Sequence, residues 1–220
     1  MRKKRIYFFR PDTVHHNSYG GENLLRRINA FEAGMIAFGA ALNVSIGYLV
    51  SVLKLPLYLD SIGTVLISVL CGWKYGVMVG LSALVILTLT AVPTAIAYSG
   101  TVFVIAVASA VMARAGFLKS VKITVLGGLI IGLATTISSA PVTFFAFGGV
   151  SLAGSDLVTT FFKASGLPVW KSVLLGSLFT DPVDKLMTSL ICLAMVRSMP
   201  SYLLNRLSCS NTLFPEITDD

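Results

Sequence analysis

The sequence predicts an all-α integral membrane protein, a bundle of six transmembrane helices with both termini in the cytoplasm. Three observations carry that expectation: composition, six apolar stretches and a one-sided distribution of basic residues. Of the 220 residues, 55% are hydrophobic and only 12% charged, and the mean hydropathy is +0.83. A soluble domain holds roughly twice that share of charge, so the composition places the chain in lipid.

A spanning helix needs about 20 predominantly apolar residues. Such stretches run roughly from Phe31 to Leu53, Leu57 to Gly72, Tyr75 to Val92, Val102 to Ala115, Ile123 to Phe147 and Leu174 to Arg197. They are apolar without period-two alternation, which marks helices and not barrel strands.

The net charge of +7 would suit nucleic acid, but its placement argues for topology instead. Arg2, Lys3, Lys4, Arg5, Arg10, Arg26 and Arg27 precede the first span; Lys74, Arg114, Lys119 and Lys122 occupy the second and fourth loops; Arg197 and Arg206 follow the last span. All fall on one side of a six-span path, whereas the other side holds only Lys54, Lys163 and Lys171. The positive-inside rule makes the richer side cytoplasmic. No nucleic-acid partner is expected. The chain then divides into a basic cytosolic segment (residues 1–28), a membrane domain (29–200) and a cytosolic tail (201–220).

No short apolar core with a small-residue cleavage site precedes Phe31, so the first span itself is expected to direct insertion. Cys71, Cys192 and Cys209 lie near or beyond cytoplasmic ends, where thiols stay reduced. Their spacing fits no metal motif. His15 and His16 lack the cysteine or carboxylate cluster that would complete a tetrahedral set, so no metal or cofactor is expected.

Along the first span, Ala33, Ala37 and Ala41 recur every four residues, beside a second row of Gly39, Asn43 and Gly47. Residues four apart share a helix face, and small ones let another helix approach closely. The stripe is a docking surface, either for a partner or within the bundle. The second and third spans are joined by the tight turn Gly72-Trp73-Lys74-Tyr75-Gly76, which imposes an antiparallel hairpin. A second external loop runs from Ala91 to Gly100, and a third, longer one from about Gly148 to Ser172. Long irregular loops often serve as lids.

The last span carries Thr180-Asp181-Pro182-Val183-Asp184-Lys185, and Asp60 opens the second. Ionisable groups inside a membrane are costly unless they face a protein interior or an aqueous cavity. Asp181, Asp184 and Lys185 share one helix face at i, i+3 and i+4. Counting back from Arg197 at about 1.5 Å per residue puts them in the outer half of the hydrocarbon. Two readings stand: the carboxylates converge on a pocket open to the outside, or Lys185 neutralises one of them only to fasten helices. Trp170, Tyr98 and Phe145 are either stacking walls of that pocket or interfacial belt residues.

These residues resemble the substrate-binding S components of energy-coupling factor (ECF) transporters, small six-helix proteins that capture vitamins and related micronutrients. The resemblance covers about residues 29–200. It rests on the Ala33/Ala37/Ala41 stripe, the Leu-Pro-Leu-Tyr-Leu-Asp-Ser-Ile-Gly-Thr entry to the second helix, the Gly-Trp-Lys-Tyr-Gly turn and the Asp-Pro-Val-Asp-Lys segment. It implies that the alanine stripe docks on a transmembrane T component carrying two cytosolic ABC ATPases, in a prokaryotic inner membrane. It also implies a pocket near the outer surface lined by Asp60, Thr64, Asp181, Asp184 and Lys185. Trp170, at the end of the third external loop, joins these as a candidate substrate-binding residue.

The expected function is therefore non-enzymatic capture of a small polar micronutrient for uptake, with ATP hydrolysed by partner subunits. Three acids against one lysine favour a neutral, hydrogen-bonding or cationic ligand over a dianion. A stand-alone ion-coupled secondary transporter is the alternative, although no internal repeat of the kind such carriers show is present. Catalysis fits poorly: Asp181 and Asp184 lack further carboxylates for a metal, no histidine lies in a span, and no phosphate-binding P-loop occurs.

Overall fold

The computed structural model describes residues 30–151 and 156–200, which are predominantly helical with no strand among them. The basic segment 1–28 and the tail 201–220, with Arg206 and Cys209, lie outside the described residues. Seven α-helices follow in order: α1 Ala30–Val52, α2 Ile62–Cys71, α3 Trp73–Thr90, α4 Ser99–Arg114, α5 Val121–Phe147, α6 Asp156–Ala164 and α7 Val169–Ser198. A 3-10 turn, Ala95–Tyr98, leads directly into α4.

Four of these segments are long and apolar enough to cross a membrane: Ala30–Val52, Trp73–Thr90, Ala95–Arg114 and Val121–Phe147. The surface has the inverted polarity that lipid requires. Leu89, Ile137 and Phe145 are 75–83% exposed, whereas Asn43, Ser68, Ser109, Thr124, Thr188 and Asp184 are fully buried. In water that distribution would be a large aggregation-prone surface; in a bilayer it is the expected one.

The second expected span is the main departure. Only Ile62–Cys71 is helical, and all ten of its residues are buried. At about 1.5 Å per residue this helix rises roughly 15 Å, half the hydrocarbon thickness. It is a core helix, wrapped by α1, α3, α4 and α7. The preceding residues do not extend it, because the Tyr58 and Leu59 amides donate to Asp184 and Leu59 takes a positive φ of 48°.

The expected turn between the second and third spans contracts to one residue. Gly72, at φ 97° and ψ 165°, sits in a region open essentially only to glycine. Gly76 then packs against Thr64 and Ser68, so α3 folds back along α2. The third external loop is also not irregular throughout, since it contains α6 and α7 begins at Val169. Thr159 of α6 seats on Gly176 of α7, which makes this segment a packed helix and not a free lid.

The most extensive helix contact joins α5 to α7. Gly128 and Gly132 of α5 face the backbone of Lys185, Leu186, Asp181 and Pro182, with no room for a side chain. Close backbone approach through small residues is how helices associate where lipid removes the hydrophobic drive. Pro182 lies inside an α7 that continues to Ser198. Lacking an N–H, it leaves the Leu178 carbonyl without its helical donor.

Candidate functional site

The buried face of α7 repeats Thr180/Asp181, Asp184/Lys185 and Thr188/Ser189 at the helical period, which turns its polar groups toward α2 and α5. Asp184 is wholly buried. Its Oδ1 accepts the Tyr58 and Leu59 amides at 2.9 and 2.7 Å, and its Oδ2 pairs with Lys185 Nζ at 2.5 Å. Lys185 Nζ also donates to Ser61 Oγ at 2.7 Å. One acid and one lysine thus clamp the 58–61 segment onto α7.

Asn43 makes a second clamp at the same place. Its Oδ1 accepts the Gly63 amide at 2.7 Å and its Nδ2 donates to Thr64 Oγ1 at 2.8 Å. This satisfies an orphan amide of the first turn of α2, in the manner of a cap supplied from a neighbouring helix. Deeper in the bundle, Cys192 Sγ donates to the Ile62 carbonyl at 3.4 Å. The entry to α2 is therefore held from α1 and from α7.

Beneath this entry lies a cavity of about 120 Å³. It sits where α1 ends, α2 begins, α3 ends and α4 begins, and the inner faces of α5 and α7 close it. Its apolar wall includes Leu84, Leu87, Val102 and Ile105; its polar wall includes Asp60, Ser61, Thr64, Thr101, Ser139, Asp181 and Lys185. Ser139 Oγ donates to Asp181 Oδ2 at 2.7 Å. Thr101 Oγ1 is buried and has no hydrogen-bond partner.

Two further contacts tie the segments over the cavity together. Thr94 Oγ1 donates to the Ser151 carbonyl at 2.8 Å, and Ser151 Oγ donates to Asp156 at 3.0 Å. Tyr98 lines the cavity, shares a 2.9 Å hydrogen bond with Thr143 Oγ1 and stacks on Phe147 with ring centroids 6.0 Å apart.

Of the six candidate substrate-binding residues, Asp60, Thr64, Asp181 and Lys185 meet around this cavity. Asp184 does not line it; both its oxygens are engaged with Lys185 and the 58–59 amides. Trp170 also stands apart. It is 52% exposed, and Lys171 Nζ lies 5.4 Å from its ring centroid. Eleven residues of helix, roughly 16 Å of rise, separate it from Asp181. Phe145 points outward at 83% exposure.

Thr101, Ser139, Thr94 and Ser151 were not singled out in the sequence. Threonine and serine are common in membrane helices, where most donate to the carbonyl four residues back, as Ser109 and Thr135 do here. Only contacts between helices distinguish the ones that face a cavity. Ala33, Ala37 and Ala41 are exposed and lie along a groove between α1 and α3, bordered by Ile36, Ser82 and Ile86. The Gly39/Asn43/Gly47 row is buried on the opposite side, against α2, α3 and Asp60. No family model, curated protein or solved structure matches this chain.

Proposed function

We propose that this chain is the membrane-embedded substrate-capture subunit of an ECF-type transporter, taking up a small polar micronutrient while partner subunits hydrolyse ATP. The observation that carries the reading is a small, partly polar cavity set inside a bundle whose outer surface is apolar. Carboxylates inside such a bundle, here Asp60 and Asp181, mark a ligand path or pocket by default. Here they share a cavity with hydroxyl groups suited to hydrogen-bonding a solute.

In this reading the cavity opens to the external face, beneath the 53–61 and 91–98 segments, and both termini are cytoplasmic. The basic residues flanking α1 and the α2–α3 and α4–α5 connections support that orientation. α7 completes the membrane crossing with its polar face turned inward, and α2 reaches only the inner part of the bundle. The membrane is a prokaryotic inner membrane. No reaction is assigned to the subunit itself.

The alanine row on α1 supplies the partner surface. It is exposed and lies along the groove between α1 and α3, which suits close approach by helices of a transmembrane T component bearing two ABC ATPases. Ala37→Trp is therefore expected to abolish co-purification with the T component and the ATPases while leaving the subunit folded. Normal yield of the mutant complex would exclude this face as the docking site. Uptake that persists in cells lacking every T component and ATPase would instead favour the stand-alone ion-coupled carrier.

A further inference from the structure

We propose that the cavity takes a compact organic cation of about one ring, its positive charge held between Asp60 and Asp181. The inference rests on reading the cavity as a capture site and narrows what it captures. Charge accounting comes first. Lys185 lines the cavity, but its ammonium is matched by Asp184 at 2.5 Å and donates to Ser61. Asp60 and Asp181 form no ion pair among the described residues. Asp181 is buried and Asp60 partly buried, and the one lysine near both, Lys185, is committed to Asp184. A carboxylate so placed is costly without a close partner, and a bound cation with several N–H donors supplies one to both acids.

A second, independent observation points to a ligand. Thr101 is 6% exposed and lines the cavity, yet its hydroxyl has no hydrogen-bond partner. Ser68, Thr88, Thr180 and Thr188 are also buried without a partner, but of these five hydroxyls only that of Thr101 lines the cavity, where a ligand can reach it. A ligand bearing a polar substituent beside its charged end would satisfy it.

Size and wall chemistry set the rest. A closed cavity of ~150 Å³ holds benzene. This one is smaller, about 120 Å³, but open on one side, so a single planar ring can enter only with its substituent toward the opening, and fused-ring nutrients are excluded without rearrangement. Tyr98 offers an aromatic wall, which favours cations over anions. The acids do not gather into a metal site either: no group of three or more His, Cys, Asp or Glu positioned for a metal occurs among the described residues.

The test uses the full chain in detergent with benzamidinium, benzamide and benzoate, which share a ring and a planar substituent but are cationic, neutral and anionic. Affinity is read by calorimetry and by the shift in melting temperature. Benzamidinium should bind about tenfold or more tighter than either of the others, a difference of about 1.4 kcal/mol. Asp60→Asn and Asp181→Asn should each erase that preference, and Asp181→Asn keeps an acceptor for Ser139. Thr101→Val should weaken binding of a ring with an added hydroxyl, hydroxybenzamidinium, without changing the charge order.

Benzamide or benzoate binding as tightly as benzamidinium overturns the cation while leaving a cavity that captures small molecules. Sodium chloride alone reproducing the stabilisation places an inorganic ion there and likewise overturns it. If none of the three binds, the single-ring cation is overturned; if native mass spectrometry also finds no small molecule on the native chain, the capture reading falls as well.

Discussion

Asp184→Ala is expected to destabilise the protein by about 3–5 kcal/mol, the usual consequence of breaking a buried ion pair from one side. The substitution strands the Lys185 ammonium and leaves the Tyr58 and Leu59 amides without their acceptor. For a domain of this size each kcal/mol corresponds to about 2–4 °C, so the melting temperature in detergent should fall by roughly 10 °C. Asp184→Asn retains a carbonyl acceptor for the two amides but loses the charge, and should fall between. Adding Lys185→Met to Asp184→Ala should recover part of the loss, because removing both charges also removes the desolvation penalty. A single alanine variant that melts within about 2 °C of the native protein would refute the clamp.

Gly63→Val should prevent the bundle from assembling. A Cβ at Gly63 would collide with the Gly39 backbone carbonyl, which no side-chain rotation can relieve. Separating α1 from α2 also breaks the Asn43–Gly63 and Asn43–Thr64 bonds. Overpacking costs about 1–3 kcal/mol, and each buried polar group left unpaired adds a similar amount. Gly100→Ala is the matched control. Nothing lies within 4 Å of a Cβ there, and alanine is the better helix former by up to about 1 kcal/mol. The valine variant should be lost on size-exclusion chromatography and the alanine variant should elute as the native protein does; monodisperse Gly63→Val would refute the close contact.

Much of the helical pattern was legible because lipid imposes it directly. Phe31–Leu53, Tyr75–Val92 and Ile123–Phe147 each fall within two residues of a helix, since an uninterrupted apolar run has few other solutions in a membrane. Leu57–Gly72 misled because hydropathy is blind to backbone partners. Leu57 and Leu59 are apolar, yet the 58–59 amides go to Asp184, more than 120 residues away. α6 escaped notice for the converse reason: Asp156–Ala164 is too short and too polar to register as a span, and its place depends on Thr159 meeting Gly176.

The polar site was legible by type and less so by role. Asp60, Asp181 and Lys185 stood out because charge is rare in an apolar chain, and they do share a cavity. Which acid Lys185 would pair with was undetermined by spacing, as Asp181 and Asp184 both lie within its reach along the helix. The 2.5 Å contact selects Asp184 and turns it into scaffold. Asn43 belonged to a row of small residues; its bonds to Gly63 and Thr64 show it as a cap for α2. Trp170 stood near in sequence to the polar cluster but far along the helix axis.

The central claim, that the cavity captures a small solute, is tested most directly by native mass spectrometry of the purified protein beside its Asp60→Asn and Asp181→Asn variants. The account predicts one small molecule carried at equal stoichiometry by the native chain and lost from both variants. A native chain that carries only lipid, or the same small molecule retained undiminished by both variants, would contradict it.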